Sequence, residues 1–359
     1  MFYELGKILV KYFTPFNVFS YLTFRGAYAA LTTLLICFLF GGKIIEALKR
    51  LKIGQTIRSD GPAGHLSKSG TPTMGGVFII GSVIIALLFW GDLGNRMIKL
   101  LLISFVAFGV IGFIDDYLKV TRHNSAGLPA WGKLIGQFSA AIVIVLYLYF
   151  TGGEETTALY IPFFKNPVVD MGALWIPFAV LLIVAESNAV NISDGLDGLL
   201  AGLLILVFIT LAILTYITGR VDYSEYLGIP YIAGAGELTV FCLAAAGACI
   251  GFLWFNAHPA EVFMGDVGSL SLGAIIAVIS LIIKKEILIL VIGGVFVIEI
   301  ASVIIQIISW KLRKKRVFLM APIHHHLELS GWAEVKVVTR LYILGGLFAI
   351  VALSTLKIQ

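Results

Sequence analysis

Long apolar runs follow one another along almost the whole chain, and polar residues are confined to the short stretches between them. Each run is long enough to cross a hydrocarbon core of about 30 Å as a helix. The runs cover residues 23–42, 74–91, 97–114, 131–151, 173–191, 197–218, 237–255, 267–283, 287–309 and 337–356. The sequence shows no ten-residue alternation typical of a transmembrane barrel. The pattern predicts an all-α polytopic membrane protein with about ten transmembrane helices, built as one domain over residues 1–359.

Composition agrees with this prediction. Hydrophobic residues make up 59% and charged residues 13% of the chain, with a mean hydropathy of +0.98. Soluble domains are nearer 45–50% apolar and about 25% charged, so a soluble globular protein is excluded. Cys37, Cys242 and Cys249 all lie in apolar runs, which indicates core residues and not a disulfide framework. Apolar residues at helical spacing over 2–20 predict an amphipathic helix at the membrane interface.

The basic residues predict which loops face the cytoplasm. Lysine and arginine are concentrated in the first, third and ninth loops, whereas the second, fourth and sixth contain one each. By the positive-inside rule the odd loops are cytoplasmic and both termini are extracytoplasmic, on the periplasmic side. Lys284 and Lys285 in the eighth loop are the exception. The acidic motifs all fall at odd loops, so we expect one site at the cytoplasmic face.

The first acidic motif is Asp115-Asp116, at the end of the third predicted helix. Neighbours on a helix point about 100° apart, so we expect these two aspartates to serve different tasks. One would face a metal and the other a substrate phosphate. The alternative interpretation is that they lie in water and pair with Lys119.

The second motif places Asn188, Asn191, Asp194 and Asp197 at a spacing of three. On an unbroken helix these side chains diverge, so they converge only if the backbone opens near the glycines that follow. Oxygen ligands of this kind suit Mg²⁺ or Mn²⁺. A short, solvated turn between helices is the alternative.

The third and fourth motifs contain Asp266, beside Gly265 at the start of the eighth helix, and the triple histidine 324–326. A helix N-terminus favours a bound phosphate, although an aspartate there is also a common helix cap. Three consecutive histidines rarely reach one ion, so phosphate binding or loop stabilisation is the better interpretation. Lys68, Lys119 and Lys133 would form a cationic rim. Together the motifs predict magnesium-dependent phosphoryl transfer.

The ninth predicted helix contains two polar residues, Glu299 and Gln306, and has Gly293-Gly294 near its start. Polar groups inside an apolar span need partners. One interpretation is a bend or break that walls a groove for a lipid, and the other is a hydrogen bond between helices.

These motifs resemble those of the polyprenyl-phosphate N-acetylhexosamine-1-phosphate transferases, over nearly the whole chain. The segments that show the resemblance are 68–76, 112–117, 188–198, 251–256, 263–269 and 321–328. The triple histidine followed by Leu327-Glu328 is typical of the branch that uses UDP-MurNAc-pentapeptide, and it separates this branch from relatives that use UDP-GlcNAc. Glu186 departs from the family pattern, which has a small or neutral residue there.

The resemblance implies that undecaprenyl phosphate attacks the β-phosphate of UDP-MurNAc-pentapeptide, giving lipid I and UMP for peptidoglycan synthesis. It also implies a multi-pass protein of the bacterial cytoplasmic (inner) membrane, which we expect to be a homodimer without nucleic-acid partners. The alternatives are a UDP-GlcNAc-specific relative and an ion-coupled transporter, whose polar groups would lie near the midplane. A scaffold protein would not explain the acidic motifs.

The resemblance further implies roles for single residues. Asp266 and Asn191 would hold Mg²⁺ with Asp116 nearby, and Asp115 would orient or deprotonate the lipid phosphate or form a covalent phospho-aspartate. His324 is counted among the catalytic residues. Uridine would be surrounded by Lys68, Asp194, Gly195, Leu196, Asp197, Asn256 and the stacking Phe263. The phosphate and sugar–peptide side would include Thr73, Lys119, Lys133, Gln306, His324, His325 and His326. Asn188, Gly265 and Ala321 would also bind substrate.

Overall fold

The structure is a computed structural model that describes residues 1–50, 70–122 and 127–357. Lys68, predicted to bind the nucleotide, lies outside the described residues. The helices are α1 (Phe2–Leu9), α2 (Leu22–Arg50), α3 (Gly76–Trp90), α4 (Arg96–Thr121), α5 (Ala130–Thr151), α6 (Trp175–Ile192), α7 (Leu199–Thr218), α8 (Val221–Leu227), α9 (Leu238–Asn256), α10 (Gly265–Ile282), α11 (Leu288–Ile292), α12 (Gly294–Arg313), α13 (Ile323–Leu329) and α14 (Glu334–Ser354). A two-residue antiparallel pair, β1 (Ala158–Leu159) and β2 (Val169–Asp170), was not predicted.

The prediction of an all-α polytopic membrane protein is confirmed in the described part of the chain. Nine helical segments there are long and apolar enough to cross a membrane, and α3, with 15 residues, is shorter. This helix begins later than predicted because the N–H groups of Gly75 and Gly76 donate to the carbonyls of Phe263 and Met264. The preceding residues therefore follow a neighbouring loop before α3 begins.

The ninth predicted span is divided at Gly293 into α11 and α12, so the break, one of the two interpretations of this span, is present. Glu186 of α6, the departure from the family pattern, is buried at this break. A Cβ placed on Gly293 would lie 3.1 Å from Glu186 Oε1. This close approach leaves little room for a side chain at position 293.

Helix α10 forms the centre of the bundle, and every residue from Asp266 to Ile282 is buried. Its first turn is pressed from two sides by helices that cross at glycines. A Cβ on Gly76 would lie 2.1 Å from the nitrogen of Gly268, and one on Gly112 would lie 2.2 Å from the carbonyl oxygen of Asp266. Small residues allow membrane helices to approach closely enough to pack without a hydrophobic driving force. The two glycines thereby fix α3 and α4 against the start of α10.

The two ends of the bundle differ in their chemistry. At the end where α4, α6 and α9 finish and α10 begins, here called the site end, the acidic motifs of the sequence come together. At the opposite end, Arg25 of α2 makes a bidentate ion pair with Glu237, with N···O distances of 2.8 and 2.6 Å. Helix α1 lies at this opposite end, where the terminal amine donates to the carbonyl of Leu88. The predicted amphipathic segment is α-helical only over Phe2–Leu9. A 3-10 helix follows at Thr14–Ser20.

Candidate active site

Three carboxylates meet at the site end. Asp115 and Asp116 lie near the end of α4, Asp266 lies in the first turn of α10, and one oxygen from each is within 4.8 Å of the others. Although neighbours on a helix point about 100° apart, both adjacent aspartates therefore reach Asp266, and their separate tasks stay a prediction. Gly112 contacts α10 one turn earlier, and positions three and four residues later flank that same face. Both side chains consequently point toward Asp266.

Two lysines join the carboxylates. Lys119 Nζ lies 2.8 Å from Asp115, 3.3 Å from Asp116 and 2.9 Å from Asp266. Lys133 Nζ, from α5, lies 2.6 Å from Asp266 and 3.5 Å from Asp115. Asp115 and Asp116 are only 3% and 2% exposed, so without these ammonium groups three buried negative charges would be strongly destabilising. Lys119 and Lys133, two of the three lysines of the predicted cationic rim, thus hold the acidic cluster together.

The end of α6 brings two more predicted residues to Asp266. Asn191 Nδ2 donates to Asp266 Oδ1 at 2.7 Å and to Ser269 Oγ at 2.8 Å. Helix α6 ends at Ile192, and Asp194 in the following turn accepts the N–H of Gly265 at 3.1 Å. Burial raises the pKa of Asp194 to about 7, and the negative charge of Asp266 acts in the same direction. Helix α6 thus ends just after Asn191, as convergence of the motif required, but of its four side chains only Asn191 and Asp194 reach this cluster.

Asn188 lies apart from this cluster. It is still within the unbroken part of α6, and its amide donates to Gln137 Oε1 at 2.7 Å and to the carbonyl of Val184 at 2.8 Å. The step of three residues to Asn191 turns the helix face by about 60°, so Asn188 faces α5 while Asn191 faces α10. The predicted contact of Asn188 with substrate would therefore have to come from the α5 side.

Asp197 belongs to a second cluster. Its Oδ2 lies 3.0 Å from His258 Nδ1 and accepts the N–H of Ala260 at 3.1 Å, while its own N–H donates to Glu334 Oε1 at 2.9 Å. Asn256 Oδ1 accepts the N–H of Gly198 at 3.1 Å. The loop after α9 and the start of α14 therefore clamp the turn that contains Asp194 and Asp197.

Sequence reasoning missed His258 and Glu334. Their carboxylate and imidazole atoms, together with one from Asp197, lie within 4.8 Å of one another. The available signals were an acid at the start of the last predicted helix and a histidine two residues after Asn256. Both positions lie at the predicted cytoplasmic ends, yet neither matched a recognised motif.

The residues predicted near uridine line the same region. Leu196 is buried in the core, whereas the ring of Phe263 is partly exposed. Along the chain, Phe263 lies between His258 of the second cluster and Asp266 of the first. The N–H of Phe263 donates to Pro72, which fixes the strand-like segment that contains Thr73. Thr73 is buried, and its hydroxyl lies 2.9 Å from the position of a Cβ on Gly265. Because Gly265 has no side chain and adopts φ +72°, the Thr73 hydroxyl can lie close to its backbone. A side chain at position 265 would block this approach.

The three histidines of α13 point to three different partners. His324 is buried, with Nδ1 3.0 Å from Glu299 Oε2 on α12, and its ring packs on Gly195, where a Cβ would lie 2.2 Å from Nε2. His325 Nδ1 lies 2.9 Å from Glu328, and His326 Nδ1 accepts the N–H of Leu319. The inference that these histidines do not share one ion agrees with these separate contacts.

Gln306 stabilises a loop. Its Oε1 accepts the N–H groups of Val317 and Phe318, both at 3.0 Å, and its Nε2 donates to the carbonyl of Phe318 at 2.9 Å. The side chain thus holds the connection from α12 to Ala321, which lies two residues before α13. Because both ends of the amide are already bonded, a substrate contact through Gln306 would have to replace one of these bonds.

The apolar helices and the charged cluster at their shared end define a polytopic membrane protein with an enzyme-like active centre. Residues 97–284 match the family model "Glycosyl transferase family 4", and residues 68–80 match "Phospho-N-acetylmuramoyl-pentapeptide-transferase signature 1". A curated relative from Thermodesulfovibrio yellowstonii, the phospho-N-acetylmuramoyl-pentapeptide-transferase, is 50% identical over 361 aligned positions, which cover 100% of both chains. The chain belongs to the phospho-N-acetylmuramoyl-pentapeptide-transferase family and is a membrane transferase. The resemblance inferred from the motifs is thereby confirmed.

Proposed function

We propose that this chain transfers phospho-MurNAc-pentapeptide from UDP-MurNAc-pentapeptide to undecaprenyl phosphate, giving lipid I and UMP for peptidoglycan synthesis. The observation that supports this reaction is the convergence of Asp115, Asp116 and Asp266 with Lys119 and Lys133 at one end of the bundle. The lipid must stay in the bilayer while the nucleotide stays in water. A charged cluster at the helix ends lies where both substrates can reach it.

Magnesium fits the donor set of this cluster. The carboxylates offer hard oxygen ligands within 4.8 Å of one another, which suits Mg²⁺ better than a metal that prefers nitrogen or sulfur. Asp266 would hold the ion with Asp116 nearby, and bound Mg²⁺ would neutralise charge on the diphosphate and the departing UMP. Asn191 would orient Asp266 through its amide N–H at 2.7 Å and bind the ion through its amide oxygen. Lys119 and Lys133 would turn from the carboxylates to the phosphates of the donor.

Asp115 would position the lipid phosphate and accept its proton. Its Oδ1 accepts the N–H of Leu128 at 2.6 Å, and its Oδ2 lies 2.8 Å from Lys119. When Lys119 turns to the donor, Asp115 still accepts the hydrogen bond from Leu128. A carboxylate oxygen that accepts a hydrogen bond is a weaker nucleophile, which favours direct attack by the lipid over a covalent phospho-aspartate. The second pKa of a phosphate monoester is near 6, so the proton-accepting role should be modest at neutral pH.

The contacts at the second cluster and at α13 support the proposed nucleotide and sugar–peptide subsites. Asp194, Asp197 and Asn256 lie on segments that the clamp holds together, beside Phe263, whose partly exposed ring would stack on uracil. His324, which Glu299 holds in place, would contact the phosphates of the donor beside the turn that contains Gly195. These assignments follow the family motifs residue by residue.

The proposed setting is the bacterial inner membrane, with the site end in the cytoplasm, both termini outside and two copies of this single-domain chain in a dimer. The basic residues in the last turns of α2 and α12 support this orientation. Lys49 and Arg50 end α2, and Lys311 and Arg313 end α12, at the site end of the bundle, as the positive-inside rule requires for a cytoplasmic face.

The test is a reconstituted transfer reaction. Purified protein with Mg²⁺ and undecaprenyl phosphate is given UDP-MurNAc-pentapeptide or UDP-GlcNAc, and the release of UMP is measured. We expect UMP and a polyprenyl-linked product with the first donor only. Release from UDP-GlcNAc alone would assign the chain to the other branch, and no release from either donor would overturn the proposed reaction.

A further inference from the structure

The opposite end of the bundle contains a cavity of about 420 Å³, here called the opposite-end cavity. It is formed by the starts of α4 and α6, the ends of α5 and α10, and the loop before α9. Along α4, its lining residue Arg96 is about 28 Å from Asp115, at 1.5 Å per residue. None of its lining residues belongs to the carboxylate cluster. We propose that this cavity binds a phospholipid with a zwitterionic ethanolamine headgroup.

Opposite charges lie at the mouth of the cavity. Arg96 and Glu155 are both exposed and both line it. Arg96 Nη1 donates to the carbonyl of Thr151 at 2.8 Å, and a guanidinium has five N–H donors, so others can bind a phosphate. Glu155 Oε2 accepts the hydroxyl of Tyr160 at 3.0 Å, which orients the carboxylate. A phosphate beside Arg96 and an ammonium beside Glu155 would satisfy both charges.

The floor of the cavity contains a buried ion pair, whose two charges cancel. Lys284 is buried, with Nζ 2.6 Å from Glu286 Oε1 and 2.8 Å from the carbonyl of Thr156. The same ammonium lies 5.3 Å from the centre of the Trp175 ring. Because Lys284 is already neutralised by Glu286, the floor does not demand an anion of its own. The charge of the lipid headgroup that binds at the mouth is therefore determined by Arg96 and Glu155.

The remaining walls suit the glycerol and the upper acyl chains. Met97, Leu100 and Leu281 form an apolar surface, and the half-exposed rings of Tyr147 and Tyr231 lie at the rim. Tyrosine is enriched at the level of lipid headgroups, where an apolar ring with a polar tip is favoured. Phosphatidylglycerol would place the same phosphate beside Arg96 but a neutral glycerol beside Glu155, so the carboxylate would have no cation to pair with. The combination therefore favours phosphatidylethanolamine over phosphatidylglycerol.

The test measures lipid binding to the whole chain and does not use the transfer reaction. A negative binding result would therefore leave the proposed function untouched. Delipidated protein in detergent is titrated with dioleoyl-phosphatidylethanolamine and with dioleoyl-phosphatidylglycerol, and bound lipid is quantified by native mass spectrometry. We expect tighter binding of the ethanolamine lipid. Arg96→Gln should weaken it about fivefold to tenfold, and Glu155→Gln should weaken it while improving phosphatidylglycerol binding.

Arg220→Gln is the matched control. Arg220 is also exposed at the opposite end, where it pairs with Asp222, but it does not line the cavity. Its loss should leave binding of both lipids unchanged, and unfolding temperatures should show that all three variants are folded. Equal binding by Arg96→Gln and Arg220→Gln would overturn the site. Tighter binding of phosphatidylglycerol by the parent protein, or no effect of Glu155→Gln, would overturn the zwitterionic headgroup.

Discussion

The crossing of α4 over α10 should control the geometry of the three carboxylates, and Gly112→Ala tests this directly. The added Cβ would lie 2.2 Å from the carbonyl oxygen of Asp266, whereas non-bonded heavy atoms settle at about 3.5–4.0 Å. The helices must therefore separate by more than 1 Å, about 1.3–1.8 Å, which moves Asp115 and Asp116 away from Asp266. Overpacking of this kind costs about 1–3 kcal/mol, and a displacement of about 1 Å among reacting groups can cost about 100-fold in rate.

We expect Gly112→Ala to lower the rate of UMP release about 100-fold, while the unfolding temperature falls by only a few degrees. The stability loss should be partly offset, because alanine favours a helix over glycine by roughly 0.5–1 kcal/mol. Gly81→Ala in α3 is the matched control, since a Cβ there meets no atom within 4 Å. It should keep the parental rate. Parental activity in Gly112→Ala would refute the idea that this crossing sets the spacing of the acids.

Four further predictions concern the site itself. Phe263→Ala should weaken equilibrium binding of UDP-MurNAc-pentapeptide by about 1–3 kcal/mol if the ring stacks on uracil, and unchanged affinity would refute stacking. Asp115→Asn should keep measurable transfer above pH 8, where the lipid phosphate is already ionised; a labelled phospho-aspartate trapped on the parent would contradict this direct route. Glu334→Ala should raise the KM for the donor about tenfold with little change in kcat, because the N–H of Asp197 loses its acceptor. Glu334→Gln keeps an acceptor oxygen, so an equal effect of both variants would disprove the hydrogen-bond role. A chelator should stop transfer until Mg²⁺ is restored, whereas added Mg²⁺ should not rescue Asp266→Asn, and chelator-resistant activity would argue against the metal.

The membrane spans could be predicted because each depends on local composition. A run of apolar residues forms a helix in lipid wherever it is long enough, since all its backbone groups must bond within the segment. The break at Gly293 was also visible, because two glycines interrupt an apolar run that contains Glu299. The convergence of Asp115, Asn191 and Asp266 followed from sidedness, which basic residues elsewhere in the chain had already indicated.

The details that could not be predicted depend on how helices cross. Asp115 and Asp116 converge only because α10 meets α4 along the line between them, and no local pattern gives this angle. Likewise, Glu334 reaches the N–H of Asp197 across 137 positions in sequence. Gln306 faces a loop because that loop folds back over α12, which periodicity along the helix does not indicate. Such contacts are properties of the tertiary arrangement.

The clamp formed by the last helix has a consequence for synthesis of the protein. Glu334 accepts the N–H of Asp197, and the hydroxyl of Tyr342 donates to the carbonyl of Gly198 at 2.6 Å, so α14 fixes a turn made more than 130 residues earlier. A nascent chain whose α14 is still on the ribosome would contain Asp115, Asp116 and Asp266 but would lack these two hydrogen bonds. Full affinity for the donor would then arise only after α14 has been translated and inserted into the membrane.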